Sequence, residues 1–158
     1  MEPATLLALL LSCAPHVDPG TAQALVAVES SLNPHAIGVV GGSLERQPRS
    51  QREALATARA LREAGWNFSV GLAQINLRNL PRVGLELNTA FEPCANLAAM
   101  QQVLLECFER STRSVSRGRS SDQQALRQAL SCYYSGNYIT GFEHGYVRRV
   151  ALQADRLR

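Results

Sequence analysis

A single carboxylate interrupts an otherwise apolar helix face in the stretch "ALVAVESSLNPHAIG", residues 24–38. The residues on this face follow the i, i+3, i+4, i+7 spacing of one side of a helix; they are Ala22, Leu25, Val26, Glu29 and Leu32. This spacing predicts that Glu29 faces the protein interior. A surface glutamate that merely breaks the apolar stripe is the alternative, and the helix alone does not decide between them.

The helix that carries Glu29 has recognisable signals at both ends. Asp18 followed by Pro19 predicts an N-cap with proline in the first turn, and Pro34 disfavours helical backbone at the residue before it. The predicted helix Pro19–Leu32 places Glu29 in its last turn. Loss of water and the negative end of the helix dipole should both raise the pKa of this carboxyl. A carboxylic acid that keeps its proton near neutrality is suited to general acid catalysis.

Three further blocks place polar or aromatic side chains next to glycine, where a ligand can approach the backbone. The blocks are "SVGLAQIN", "SCYYSGNY" and "GYVRRV". Hydroxyl, amide and tyrosine groups can hold a neutral polar ligand such as a sugar. The candidate ligand-binding residues are Ser69, Gln74, Asn76, Tyr133, Tyr134, Asn137 and Tyr146. Local backbone hydrogen bonds for the polar residues, and core packing for the tyrosines, are the alternatives.

Other catalytic chemistries lack support in the sequence. The three histidines His16, His35 and His144 stand in dissimilar contexts without metal-ligand spacing, and no serine or cysteine nucleophile motif accompanies them. No glycine-rich phosphate loop occurs. We therefore expect neither a metal site nor a cofactor.

The pattern along the chain predicts a mainly α, α+β fold with a minor β-hairpin or short β element. The predicted helices are Pro3–Ser12, Pro19–Leu32, Gln51–Ala64, Pro93–Phe108, Asp122–Tyr134 and Phe142–Asp155. "NFSVGLAQIN" predicts either a short strand or an irregular turn. With 158 residues, no repeats and no linker, we expect residues 1–158 to form a single domain.

The cationic charge of the chain is carried entirely by arginine. The formal net charge is +3, with local clusters at residues 110–119 and 148–158. No aromatic residues interleave with these arginines, so nucleic acid is not the expected partner. A mildly basic surface suits an anionic polymer, and solubility accounts for it equally well.

The N-terminal segment "MEPATLLALLLSCAPH" is apolar but too short to span a bilayer, and no integral membrane segment is expected. It lacks the basic start of a secretory signal. A packed first helix and an anchored or cleaved segment both remain open.

Four cysteines without a CxxC pair fit two disulfides in an oxidising compartment or four buried thiols in a reducing one. Cys94 and Cys107 bracket a predicted helix and would lie about 20 Å apart, so they cannot pair. If the helices starting near Pro93 and Asp122 form an antiparallel hairpin, Cys94 meets Cys132. Cys13 is then left with Cys107.

Taken together, the blocks "VESSLNPHAIG", "FSVGLAQIN", "ALSCYYSGNY" and "GYVRRV" resemble the lytic transglycosylases of bacterial type IV secretion and conjugation systems, within the lysozyme-like superfamily. The resemblance extends from Cys13 to about Val150. It implies a lysozyme-like fold, a cleft for peptidoglycan glycan strands, and a periplasmic protein that acts as a monomer beside secretion-system components.

By this resemblance Glu29 is the catalytic acid, Ser69 steadies it or the substrate's N-acetyl group, and Gln74 and Asn76 line the cleft. Tyr133 matches the tyrosine of the block that usually reads "AYNAG". The chain departs from that block with Tyr134 in place of asparagine and Ser135 in place of alanine.

The implied reaction cleaves the bond between N-acetylmuramic acid and N-acetylglucosamine and leaves a 1,6-anhydro ring. It needs one carboxylate because the substrate's own C6 hydroxyl is the nucleophile. A goose-type lysozyme that hydrolyses the same bond, and a non-catalytic peptidoglycan-binding assembly module, are the alternatives.

Overall fold

The protein is described by a computed structural model that covers residues 1–115 and 121–157. Arginines 117, 119 and 158 of the two predicted clusters lie outside these residues. Within them the chain forms α-helices and a small antiparallel sheet, which confirms the predicted mainly α fold with a minor β element. The helices are α1 (Pro3–Cys13), α2 (Pro19–Ser30), α3 (Gln51–Glu63), α4 (Pro93–Val115), α5 (Asp122–Ser135), α6 (Thr140–Glu143) and α7 (Tyr146–Arg156).

The helix that carries Glu29 begins at the predicted residue, Pro19, but ends two residues before its predicted end. The Asp18 side chain accepts a hydrogen bond of 2.8 Å from the Thr21 amide, so it caps α2 as expected. The predicted end at Leu32 is wrong. Ser31 and Leu32 have φ angles of 52° and 63°, and this left-handed backbone terminates α2 at Ser30. Glu29 consequently lies in the last turn.

The C-terminal helix prediction is also wrong in one respect. Phe142–Asp155 was predicted as one helix, whereas the chain forms α6 and α7, separated by Gly145 with a φ of 68°. This turn redirects the chain so that Tyr146, Val147 and Val150 are buried. Helix α7 packs against α2 through this apolar face.

The sheet has the strand order β1 (Ile37–Val39), β2 (Phe68–Val70) and β3 (Ile75–Asn76), with both pairs antiparallel. Of the two readings of "NFSVGLAQIN", the strand interpretation is confirmed, because β2 and β3 form a hairpin closed by residues 71–74. Ser69 pairs with Gly38 on one side and with Asn76 on the other. The hairpin therefore brings two predicted ligand-binding side chains next to each other.

The core lies between α4 and the elements packed around it. Leu97, Met100 and Leu104 form a buried stripe along α4, which packs against α1 and α5. Burying a leucine or methionine side chain contributes roughly 1.5–3 kcal/mol each. The predicted helix to Phe108 is wrong at its end, since α4 continues to Val115.

The cysteines form two disulfides, Cys13–Cys94 and Cys107–Cys132, so the predicted pairing of Cys94 with Cys132 and Cys13 with Cys107 is wrong. Helix α4 has 23 residues and α5 has 14, which correspond to about 34 Å and about 21 Å. Cys132 lies about 15 Å after the start of α5 and Cys107 about 12 Å before the end of α4, so these two cysteines are at the same level. Cys94, in the first turn of α4, is left beside Cys13 at the end of α1.

Candidate active site

Glu29 lies on the wall of a cleft of about 910 Å³. Its Oε1 atom accepts a hydrogen bond of 2.5 Å from the hydroxyl of Tyr146. Tyr146 is the first residue of α7 and is only 2% exposed. The packing of α7 on α2 thus sets the position of the carboxyl group.

The surroundings of Glu29 favour its protonated form. Burial raises the pKa of this carboxyl to about 7, against the lowering effects of the Tyr146 hydrogen bond and the charge of Arg149. Desolvation therefore outweighs both stabilising contacts of the anion. A carboxyl with a pKa near neutrality can both give and accept a proton at working pH.

The β2–β3 hairpin supplies polar groups to the same cleft. Asn76 Nδ2 donates a hydrogen bond of 3.2 Å to Ser69 Oγ, and both residues line the cleft. Gln74 adopts a φ of 50° and donates from Nε2 to the carbonyls of Ala36 (3.1 Å) and Gly71 (3.0 Å). These bonds fix its amide in place. Its Oε1 has no donor among the described residues and can accept a hydrogen bond from a ligand.

Glycine at position 38 makes room for that amide. A Cβ atom there would lie 2.6 Å from Gln74 Oε1. A side chain at Gly38 would therefore displace the end of Gln74 from its position in the cleft.

The side chain of Asn96, which is fully buried on α4, is hydrogen-bonded to the backbone of the hairpin turn. Its Nδ2 donates to the carbonyls of Val70 (3.0 Å) and Ala90 (2.8 Å), and its Oδ1 accepts from the Ala73 amide (2.8 Å). Gly71 has a φ of 80°, and a Cβ atom there would come within 2.4 Å of Asn96 Nδ2. The turn thus depends on a glycine and a buried amide packed against each other.

Two adjacent tyrosines of α5 lie on the cleft wall with different roles. Tyr133 donates from its hydroxyl to the Ala73 carbonyl at 2.7 Å, and burial raises the pKa of this phenol well above its ordinary value. Tyr134 is 41% exposed and stacks on Tyr146, with ring centroids 4.6 Å apart. Its hydroxyl lies 3.1 Å from His144 Nδ1. Tyr133 therefore anchors the hairpin turn, whereas Tyr134 presents an accessible ring.

The cleft brings together most of the predicted site, namely Glu29, Ser69, Gln74, Asn76, Tyr133 and Tyr134. Tyr146 lies behind Glu29 and is not among the lining residues. Asn137 also lies outside the lining. Its Oδ1 accepts from the amides of Ile139 (2.9 Å) and Thr140 (2.8 Å), so its side chain holds the start of α6.

Several cleft residues were not found by sequence reasoning. They are Asn67, Arg78, Arg82, Glu106 and Arg110, among others. Asn67 precedes Ser69 by two positions, which is the spacing that puts two side chains on one face of a strand. Its Oδ1 is buried without a hydrogen-bond partner among the described residues. The arginines had no comparable signal, because their position depends on how α4 and the turns after β3 pack.

Two kinds of feature are absent from the described part of the chain, a metal-binding cluster and a membrane-spanning helix. No group of three or more histidine, cysteine, aspartate or glutamate side chains there could hold a metal ion. Among the helices of that part, none is both long enough and apolar enough to cross a membrane.

Comparison with known protein families decides the assignment. The family model described as "Transglycosylase SLT domain" matches residues 9–151 of the chain. The chain belongs to this family. The match confirms the resemblance noted in the sequence and places Glu29 and the hairpin inside the SLT domain.

Curated relatives of this SLT domain extend over nearly the whole chain. Type IV secretion system protein virB1 of Brucella abortus is 47% identical over 154 residues, which cover 94% of this chain and 63% of that protein. Protein virB1 of Agrobacterium fabrum is 35% identical over 148 residues, covering 92% and 57%. The corresponding protein of Rhizobium radiobacter is 37% identical over 149 residues, covering 92% and 59%. The chain thus spans about 63% of the length of the Brucella relative. No solved structure matches it.

Proposed function

We propose that this SLT domain is a peptidoglycan lytic transglycosylase, which cleaves the β-1,4 bond between N-acetylmuramic acid and N-acetylglucosamine. The observation that carries the proposal is the Glu29 carboxyl, with a pKa of about 7, on the wall of a cleft to which the β2–β3 hairpin contributes amides and a hydroxyl. Neutral donors and acceptors of this kind suit an uncharged sugar polymer.

In the proposed reaction Glu29 first gives its proton to the glycosidic oxygen as the bond to C1 of the muramic acid breaks. The substrate's acetamido group stabilises the positive charge that develops at C1. The Glu29 carboxylate then takes the proton of the C6 hydroxyl while that oxygen attacks C1, which regenerates the acid and closes the 1,6-anhydro ring. Intramolecular attack is efficient because a well-oriented neighbouring group has an effective molarity of about 10⁵ M or more.

Each of the other residues has a proposed role that follows from its contacts. Ser69, Gln74 and Asn76 bind sugar hydroxyl and acetamido groups, and the exposed ring of Tyr134 packs against a sugar face. Tyr133 acts by holding the hairpin turn. Tyr146 is a positioning residue for Glu29. For Asn137 the predicted ligand contact stays a proposal, beside the hydrogen bonds that its Oδ1 accepts within the α5–α6 turn.

The second candidate function is hydrolysis of the same bond by a goose-type lysozyme. A hydrolase that uses two carboxylates requires the second one across the bond to activate water. Besides Glu29, the carboxylates that line the cleft are Glu106 and Glu109, and these form ion pairs with Arg82 and Arg113. Because Glu106 and Glu109 are already ion-paired, neither is available to activate a water molecule. This favours the transglycosylase reaction, in which the substrate supplies the nucleophile.

Mass spectrometry of the fragments released from purified sacculi tests the proposal. We expect 1,6-anhydro products, each lighter by one water than the hydrolysed fragment. The Glu29→Gln variant should lose about 10²–10⁴-fold in rate, the usual contribution of a general acid–base group, with unchanged circular dichroism. Reducing-end products would indicate hydrolysis, and binding without cleavage by the wild-type protein would indicate an assembly module.

We further propose that residues 1–158 act as one domain and as a monomer in the periplasm, where the protein opens the wall locally for a type IV secretion system. The names of the virB1 relatives and the two disulfides support this setting. Glycan strands and secretion-system components are then its partners, and nucleic acid is not.

A further inference from the structure

Four arginines line the cleft that holds Glu29, namely Arg78, Arg82, Arg110 and Arg113. Two of them are compensated by carboxylates on α4, because Arg82 pairs with Glu106 and Arg113 pairs with Glu109. Arg78 and Arg110 form no ion pair with any carboxylate of the described residues. The cleft therefore carries positive charge that the described chain does not neutralise.

The contacts of Arg110 hold its guanidinium group without cancelling its charge. Its Nη2 atom lies 3.2 Å from Cys132 Sγ and 3.5 Å from Cys107 Sγ, and its Nε donates to the Glu106 carbonyl at 3.4 Å. All three acceptors are uncharged. Arg110 is thus fixed against the disulfide that joins α4 to α5 on the cleft wall.

The backbone of Arg78 is fixed by a hydrogen bond, whereas its side chain is available to contact a ligand. Its amide donates to Asn76 Oδ1 at 3.1 Å, so Arg78, two positions along the chain, is in contact with a proposed sugar-binding residue. The side chain is exposed and makes no hydrogen bond within the described chain. A guanidinium in this position can meet an anionic group attached to a sugar bound at Asn76.

The glycan backbone of peptidoglycan offers no charge to these arginines, since its rings carry only hydroxyl and acetamido groups. Its anionic groups are the carboxylates of the peptide stems, which are linked to the lactyl side chain of the muramic acid residues. Guanidinium groups match carboxylates through paired, charge-assisted hydrogen bonds. We propose that Arg78 and Arg110 bind carboxylates of the peptide stems, so that the cleft prefers glycan strands that still carry them.

This inference rests on the proposed function only in taking peptidoglycan as the ligand, and it is tested by binding rather than by cleavage. The probes are soluble glycan strands with intact stems and the same strands after the stems have been removed by an amidase and the lactyl carboxylates left behind have been converted to neutral amides with a carbodiimide and ammonia. Affinities are measured by titration calorimetry in the Glu29→Gln background, in which the strands are not consumed. The added substitutions are Arg78→Gln, Arg110→Gln and both together.

We expect the Glu29→Gln protein to bind stem-bearing strands more tightly than stripped strands. The double arginine substitution should reduce the affinity for stem-bearing strands about tenfold, and should leave the affinity for stripped strands within about twofold. Rising ionic strength should weaken only the stem-dependent part. Arg59→Gln, an exposed arginine of α3 outside the cleft, is the matched control and should change neither affinity.

Equal affinity of the Glu29→Gln protein for both strands, or an equal loss on both strands in the double variant, would overturn the inference. The single variant Arg78→Gln is the control for misfolding. The exposed side chain of Arg78 makes no hydrogen bond within the described chain, so its replacement should leave the fold intact. Failure of the proposed function has a different signature: wild-type protein would then release no anhydro fragments from either strand, whatever the outcome of the binding experiment.

Discussion

The hydroxyl of Tyr146 donates a hydrogen bond of 2.5 Å to Glu29 Oε1 across a sequence separation of 117 residues. Burial raises the pKa of the Tyr146 phenol well above its ordinary value, so this group remains a donor at any physiological pH. Tyr146 in turn stacks on Tyr134 and lies under the guanidinium of Arg149, 5.9 Å from the ring centroid. The position of the Glu29 carboxyl at the end of α2 is therefore set by side chains of α5 and α7.

Replacing Tyr146 with phenylalanine should move the pH dependence of cleavage upward. The acid must be protonated to react, so wild-type kcat/KM should fall as the pH rises through about 7. The Tyr146 hydrogen bond lowers the pKa of Glu29, and its loss should shift this alkaline limb to higher pH. The measurement is kcat/KM against pH. Tyr138→Phe, a tyrosine of the same region without a contact to Glu29, is the control, and coincident limbs for wild type and Tyr146→Phe would contradict the role.

The stability of the folded protein should fall as the pH rises through the titration of Glu29. The pKa of this carboxyl is about 7 in the folded protein, against an ordinary value of 4.5, so the folded state binds more protons between these pH values. The stabilisation is complete below about 4.5 and is lost as the pH rises to about 7, with a total of about 3 kcal/mol at most. Urea unfolding at several pH values measures it.

Glu29→Gln should remove this pH dependence, since the amide cannot ionise. The variant should equal or exceed the wild type in stability at pH 8, where the wild type contains a partly buried and poorly hydrated carboxylate. Glu63→Gln, an exposed residue near the end of α3, should leave the wild-type profile unchanged. A profile of Glu29→Gln parallel to that of the wild type would exclude Glu29 as the buried titrating group.

Removal of either disulfide should destabilise the protein, and the longer loop should cost more. Cys13–Cys94 closes a separation of 81 residues and Cys107–Cys132 one of 25. The chain-entropy model gives about 4–5 kcal/mol and about 3–4 kcal/mol for loops of these sizes. Paired cysteine-to-alanine variants in urea unfolding measure the difference. Peptide mapping without reduction checks the connectivity, and a peptide linking Cys94 to Cys132 would contradict the fold described here.

Gly71→Ala should be strongly destabilising because it combines a left-handed backbone with a collision. The new Cβ would lie 2.4 Å from Asn96 Nδ2 and 3.1 Å from the Ala90 carbonyl. We expect a loss of about 3 kcal/mol or more, from backbone strain together with disturbed buried hydrogen bonds. Gly84→Ala, with a φ of 69° and open space around it, should cost only about 1 kcal/mol. Similar losses of stability in the two variants would mean that the Asn96 side chain moves aside, and would contradict the predicted collision.

Local patterns predicted the parts of the structure that depend on neighbouring residues. Asp18 caps α2 as expected, α3 begins at Gln51 as predicted, and the carboxyl of Glu29 is placed in the last turn of its helix. Each of these depends on backbone groups within a few positions. The grouping of Glu29 with Ser69, Gln74 and Asn76 came from the family resemblance, because no local pattern places α2 beside the hairpin.

The wrong predictions depend either on packing between distant segments or on local backbone conformations that residue preference does not dictate. The cysteine pairing required the relative lengths of α4 and α5, and the extension of α4 to Val115 changed which cysteine faces Cys132. The early end of α2 comes from left-handed backbone at Ser31 and Leu32, where residue preference alone does not require it. The ligand contact predicted for Asn137 stays a prediction, and in the structure its Oδ1 accepts from the amides of Ile139 and Thr140, a local use that asparagine in a turn commonly has.

The single side chain of Asn96 makes hydrogen bonds to three backbone groups, two of which belong to the segment that carries Gln74. The carbonyl oxygen of Ala73 accepts a further hydrogen bond from the Tyr133 hydroxyl. The turn that carries Gln74 is thus attached to two helices at once, so the proposed sugar ligand would meet a surface that moves only together with α4 and α5.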